Sequence, residues 1–184
     1  MKKILAIPGS IRKNSFNKSA CKVLVDIVAQ KSSPILEDVE LKIFVLDDVP
    51  MFSQDLEADL PSEVQELISQ VEWADAVIFS TPEYNNMVPG VLKNTCEWLS
   101  RSYAIPAVEG KPVAIMGASD GGFGTVRSQN QLLLLASIIK FQVDASLRLP
   151  ISRAQDLFDE QGNLTSTDIR AKIQDLLERL AMKI

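Results

Sequence analysis

Residues 3–30 read KILAIPGSIRKNSFNKSACKVLVDIVAQ: an apolar run, a polar loop and an amphipathic stretch in direct succession. The run 3–8 (KILAIP) is continuous rather than alternating, as expected of a strand buried on both faces of a parallel sheet. From Phe16 to Gln30, Ala20, Val23, Leu24, Ile27 and Val28 recur at spacings of three and four, which predicts a helix. A buried strand feeding a helix through a short loop is the opening half of a strand–helix–strand unit, and such units build parallel sheets.

The rest of the chain repeats this alternation. ELKIFVL (40–46), DAVIFSTP (75–82), KPVAIMGAS (111–119) and a short FQVDAS (141–146) read as further strands. Helices are expected over 61–74, with Pro61 in the first turn, and over 88–101, opening near Pro89 and running to about Ser100. A fourth helix spans 124–139, and the last, about 167–182, is preceded by Thr165 with Asp168 three places on, an acidic variant of the capping box. The stretches 47–61 and 158–163 read as surface loops, and no repeat or linker interrupts the pattern. The expectation is one α/β domain over 1–184: a five-stranded parallel sheet wrapped by helices on both sides, in three layers.

Composition narrows the function classes. At 184 residues the chain can bury about 70% of its unfolded surface. A net charge of −5 counts against non-specific binding to nucleic acid or anionic membranes. The absence of histidine counts against zinc, haem and imidazole-based hydrolysis, and the two cysteines, Cys21 and Cys96, lack metal or disulfide spacing. The start MKKILAIPGS has the charge pattern of a signal peptide, but its apolar run is short and leads into Arg12 and Lys13, so a strand is expected. LLLLASII (132–139) falls far short of the roughly 20 residues that span a bilayer. A cytoplasmic protein is expected.

In open α/β sheets, ligands bind beyond the carboxyl ends of the strands, where strand order reverses. Three loops after strands carry unusual chemistry. In the first, Gly9 permits a tight turn, Ser10, Ser15 and Asn17 offer short polar side chains, Arg12 offers a cationic fork, and the next helix presents free N–H groups. On local evidence this loop fits a phosphate cradle and a plain helix cap equally well. It is not a nucleotide P-loop, which ends in Gly-Lys-Ser/Thr, nor a cysteine phosphatase loop. The second, TPEYNNMVPG (81–90), is stiffened by Pro82 and Pro89, so its backbone donors can meet a planar ring whose faces Tyr84 and Met87 cover; a rigid surface turn accounts for it equally. The third, GASDGGFG (117–124), is a glycine-rich turn whose spacing departs from G-x-G-x-x-G, with Asp144 as a candidate ribose acid in a dinucleotide-binding reading. Its glycines also suit close approach of a flat ligand's edge.

Taken together, the loops resemble the NADPH-dependent FMN reductase family, flavodoxin-like enzymes that include quinone and chromate reductases. Gly9, Ser10, Arg12, Ser15 and Asn17 match its Gly-Ser-x-Arg-x-x-Ser-x-Asn stretch; Pro82 to Asn85 match Pro-Glu-Tyr-Asn; Pro89 to Asn94 match Pro-Gly-x-Leu-Lys-Asn. Trp98, Ser100 and Arg101 match Trp-x-Ser-Arg, and Gly117 to Ser119 with Arg127 and Gln129 match the Gly-Ala-Ser turn and its later Arg-x-Gln. The resemblance implies a flavodoxin-like fold and a single bound FMN. It implies that Ser10, Arg12, Ser15, Phe16 and Asn17 hold the phosphate, while Pro82, Glu83, Tyr84, Asn85, Ser119, Asp120, Gly121 and Gly122 contact the isoalloxazine ring. It further implies NADPH or NADH as hydride donor, a small-molecule acceptor and ping-pong turnover without a catalytic side chain, with Tyr84 and Arg101 shaping the pocket. Met87, Glu97, Asp120 and Phe123 depart from the family pattern, which bears on the acceptor.

Four successive leucines on one helix cannot all face one sheet, since each advances about 100°. The helix is either deeply buried or partly covered by a second copy. A homodimer or homotetramer using this helix and the 88–101 helix is expected, as the resemblance also implies. The rival functions are a flavodoxin-type electron carrier, a dinucleotide-dependent dehydrogenase and a flavin-free interaction domain.

Overall fold

The computed structural model describes residues 1–184. Five strands, β1 (Lys2–Pro8), β2 (Val39–Ile43), β3 (Ala76–Ser80), β4 (Pro112–Ala118) and β5 (Gln142–Ile151), form one sheet in the order β2-β1-β3-β4-β5. All four pairings are parallel. This is the flavodoxin-like order, and the strand sequence reverses between β1 and β3. Six helices connect or follow them: α1 (Phe16–Ala29), α2 (Ser62–Trp73), α3 (Gly90–Leu99), α4 (Ile105–Val108), α5 (Val126–Ile138) and α6 (Thr167–Ala181).

Alternation along the strands sorts the core into two layers. Ile4, Ala6, Ile78 and Met116 point to one face, where α1 and α6 supply Leu24, Ile27, Ile173 and Leu177. Leu5, Ile7, Phe79 and Ile115 point to the other, against Leu67, Leu92, Trp98 and Leu132 from α2, α3 and α5. Double-sided burial is why these strands read as continuous apolar runs. The far end of the sheet is closed by lysines at helix C-termini. Lys111 Nζ donates to the carbonyls of Val71 (2.5 Å) and Glu72 (3.0 Å) and also to Ala74, while Lys2 Nζ donates to Ala181 O (2.6 Å). Burial lowers the Lys111 pKa.

Two sequence expectations need correction. β5 runs to Ile151 rather than ending at 146: Val113 faces Val143 but Ile115 faces Arg148, so a bulge around Asp144–Leu147 interrupts the pattern and pairing then resumes. Its edge position tolerates Pro150. The cap of α6 is Ser166, whose Oγ accepts from Ile169 N (3.3 Å), whereas Thr165 Oγ1 donates to Leu157 O (3.0 Å) and Asp168 pairs with Lys172 (2.7 Å). The short α4 falls between the expected 88–101 helix and 111–119 strand, a stretch to which the sequence pattern assigns no element. The 47–61 segment is pinned to α3: Asn94 Oδ1 accepts from Phe52 N (2.7 Å), and Asn94 Nδ2 and Trp98 Nε1 both donate to Pro50 O (2.8 and 2.9 Å). No helix is long and apolar enough to cross a membrane.

Candidate functional site

The loops after β1, β3 and β4 meet at the reversal point and enclose a cleft of about 280 Å³. Its lining is Ser10, Arg12, Ser15, Phe16 and Asn17 from the first loop, Pro82, Glu83 and Tyr84 from the second, and Ala118, Ser119, Asp120 and Gly121 from the third. Of the expected site residues, Asn85 and Gly122 lie just outside. Ala118, the middle residue of the Gly-Ala-Ser match, also lines the cleft, although it was not among the expected site residues. Arg101 is not in the lining; it pairs with Glu57 and its guanidinium sits 5.3 Å from the Phe52 ring centroid.

The opening loop is both cap and donor cluster. Ser15, in extended geometry before α1, accepts through Oγ from Asn17 N (3.2 Å) and Lys18 N (3.4 Å). Its hydroxyl proton is left for a ligand. The N–H groups of Ser10, Ser15 and Phe16 make no hydrogen bond within the chain, although Ser10 and Ser15 are buried. Ser10 Oγ accepts from Arg12 N (3.3 Å) and keeps its own proton. The exposed Arg12 guanidinium donates from Nε and Nη2 to Asn14 O (3.0 and 2.7 Å) and lies 5.5 Å from the Phe16 ring centroid, with three N–H donors to spare. Unpaired N–H groups and hydroxyls at the start of a helix suit a phosphate.

Asn17 lines the cleft and also anchors the loop. Its Oδ1 accepts from Ser80 Oγ (3.0 Å) and Ala118 N (3.0 Å), and its Nδ2 donates to Ala118 O (3.0 Å). The buried amide ties α1 to β3 and β4 beneath the cleft and so sets the position of the donors above it.

In the second loop, Tyr84 and Met87 exchange backbone bonds (3.3 and 2.9 Å) around Asn85 and Asn86, both left-handed (φ 51° and 61°), a conformation asparagine tolerates. Glu83 lines the cleft, and its carboxylate is engaged by α5. Its Oε2 accepts from Arg127 N (2.9 Å) and Ser128 N (3.0 Å), and Oε1 lies 3.5 Å from Arg127 Nη1. Thr125, the residue at the cap of α5, is left-handed (φ 68°) and supplies no side-chain cap, so Glu83 fills that role from the neighbouring loop.

The third loop passes close beneath the second. A Cβ at Gly117 would lie 2.1 Å from Thr125 Oγ1 and 2.3 Å from Thr81 O, so only glycine lets these segments meet. Beyond it the turn is anchored to the end of β5: Ser119 N donates to Ile151 O (3.1 Å) and Arg153 N to Gly121 O (3.3 Å). A Cβ at Gly121 would meet nothing nearer than Ser119 Oγ at 3.8 Å, and the N–H groups of Asp120, Gly121 and Gly122 have no partner in the chain. Open space beside free backbone donors fits the edge of a ring bearing carbonyl acceptors. Asp144 accepts from Ser146 N (2.9 Å) and pairs with Lys183 (3.1 Å) beside Val143, whose partner Val113 lies toward the opposite end of β4 from this turn, so the dinucleotide-binding reading loses its acid.

Exposed apolar side chains gather beside the cleft: Tyr84 is 52% exposed, Met87 55% and Phe123 68%, with the Arg127 guanidinium 4.8 Å from the Phe123 centroid. Cys21 and Cys96 are buried and outside the cleft lining, and burial pushes the pKa of both up to about 12.

The comparisons agree with this geometry. The family model described as NADPH-dependent FMN reductase matches residues 2–156. An NAD(P)H-dependent FMN reductase of Pseudomonas aeruginosa is 36% identical over 181 residues, covering 98% of this chain and 94% of that protein. A 2-hydroxy-1,4-benzoquinone reductase of a Burkholderia species is 31% identical over 179 residues, covering 97% and 94%. The structure of FerB, a flavoenzyme NAD(P)H:(acceptor) oxidoreductase of Paracoccus denitrificans, superposes with a TM-score of 0.79 at 26% identity, covering 99% of this chain and 96% of that one. With the match spanning most of its length, the chain belongs to the NADPH-dependent FMN reductase family.

Proposed function

We propose that this protein is an FMN-dependent NAD(P)H oxidoreductase that reduces a small-molecule acceptor. The observation that carries this reading is the convergence of three loops on one cleft with unpaired donors at both ends. Ser10 and Ser15 would give their hydroxyl protons to the FMN phosphate, joined by the N–H groups of Ser15 and Phe16 and the free side of the Arg12 guanidinium. Asn17 would hold that cradle in register from below. Pro82, Tyr84 and Asn85 would border the ring, and the N–H groups of Asp120, Gly121 and Gly122 would face its polar edge. When bound, FMN supplies the hydride chemistry. The protein's share is to bind, orient and stabilise charge through fixed backbone donors, which requires neither a thiolate nor an imidazole.

The coenzyme, NADPH or NADH, and the acceptor would use the same mouth in turn, giving ping-pong kinetics. Among acceptors (quinones, free flavin, azo compounds and metal oxyanions) the exposed apolar side chains of Tyr84, Met87 and Phe123 favour quinones, in keeping with the benzoquinone reductase among the relatives. The same reading has the chain acting as one cytoplasmic domain on small molecules rather than on nucleic acid or membranes. On α5, Leu134 is 63% and Ile138 66% exposed, and a second copy would cover them, in a homodimer or homotetramer. Light scattering that finds only monomer at micromolar concentration would overturn the assembly. The function is tested by steady-state NADPH oxidation with FMN and a quinone: acceptor-dependent turnover supports it, whereas FMN binding without NADPH or NADH oxidation would leave an electron carrier.

A further inference from the structure

Glu83 is an acidic side chain bordering a cleft that would receive an anionic cofactor, which invites the question of what keeps it there. Its carboxylate is only 10% exposed. One oxygen accepts two N–H bonds from the first turn of α5, at 2.9 and 3.0 Å, where no local cap exists. The same turn is fastened a second time. Gln131, one helical turn further along α5, accepts from Val88 N through Oε1 (2.9 Å) and donates to Asn86 O through Nε2 (3.1 Å). Gln131 does not line the cleft. The segment 83–88 is therefore bolted to α5 at both ends, with its two left-handed asparagines between the bolts.

We propose that Glu83 and Gln131 are positioning residues: a two-point latch that fixes the Tyr84 turn to α5 and so sets the ring-side wall of the cleft. Glu83 acts by capping α5, and Gln131 acts without touching the cleft at all. The inference rests on the reading of the cleft as an FMN site.

The experiment compares the full-length wild type with Glu83→Ala, Glu83→Gln and Gln131→Ala, using FMN and riboflavin as probes in fluorescence titrations well below the melting temperature. The latch acts on the ring side, so Glu83→Ala weakens FMN and riboflavin by the same factor, about tenfold. Gln131→Ala weakens both by about threefold, and the double variant loses less than the product of the two because they share one device. Glu83→Gln, which keeps an acceptor and the side chain's length, recovers part of the loss. Hydrogen exchange of the flavin-free protein gives a separate readout: the Arg127 and Ser128 amides exchange faster in Glu83→Ala than in wild type. A lower melting temperature with unchanged flavin affinity would overturn the proposal, as would a loss confined to FMN. If wild type takes up neither flavin, the FMN reading fails instead, and unaltered exchange at Arg127 and Ser128 would still refute the latch.

Discussion

Replacing Ser15 by aspartate separates the two jobs that one side chain performs. Ser15 Oγ accepts from Asn17 N and Lys18 N at 3.2 and 3.4 Å, and its free proton faces the proposed phosphate. Aspartate is as good a cap as serine, so the helix keeps its stability, while removal of the cap in Ser15→Ala costs about 1 kcal/mol. The carboxylate, however, would replace a donor by a charge of the phosphate's own sign. At ~4 Å and an effective dielectric of ~20, each pair of unit charges repels by about 4 kcal/mol, well above the ~1–2 kcal/mol that a single hydroxyl bond to the phosphate contributes. Ser15→Asp should thus melt like wild type without flavin and bind FMN at least about a hundredfold more weakly. Ser15→Ala should melt lower and bind FMN about tenfold more weakly. Riboflavin, which has no phosphate, should bind both variants as it binds wild type. The assay is fluorescence titration of each flavin alongside thermal melts of the flavin-free protein. Wild-type affinity of Ser15→Asp for FMN would refute the cradle and leave the loop as a helix cap alone.

Other consequences follow from packing and burial. A Cβ at Gly9 would lie 2.2 Å from Leu92 Cδ1, and Leu92 is fully buried, so Gly9→Ala should destabilise by about 1–3 kcal/mol in chemical denaturation, with Leu92→Ala in the same chain relieving part of the cost. Because burial raises both thiols from 9.0 to about 12, they stay protonated in the folded state, and alkylation at mildly alkaline pH should be no faster than global unfolding. Their folded pKa exceeds the unfolded value, so their contribution to stability is complete below pH 9 and declines as pH rises through about 12; denaturation midpoints that climb across that window would contradict it. Lys111→Met removes the cation that closes α2 against three carbonyls and should lower the melting temperature without changing FMN affinity, since that end of the sheet lies opposite the cleft.

What the sequence made legible was set by local chemistry. Doubly buried strands declare themselves as apolar runs, and the loop residues that bring donors to the cleft are polar, small or glycine, so the cleft's location and nearly all of its lining were readable. Long-range pairing was not. The bonds of the Asn17 amide to Ser80 and Ala118, 63 and 101 residues away, have no local signature. The capping of α5 by the Glu83 carboxylate, 44 residues before Arg127, has none either, and Gln131 has no local feature that announces its grip on the same turn. The end of β5 was hidden because Asp144 and Ser146 form a polar bulge inside an edge strand. Thr165 and Ser166 are both plausible caps, and the choice falls to Ser166 because Leu157 O takes the Thr165 hydroxyl.

The proposed hydride transfer is tested most directly by an anaerobic titration of the FMN-loaded protein, first with NADPH or NADH and then with a quinone. The flavin's visible band should bleach in proportion to the nicotinamide added, and return when the quinone enters after the nicotinamide is spent. A protein that takes up no FMN, or whose bound FMN keeps its full absorbance in the presence of both nicotinamides, would contradict it.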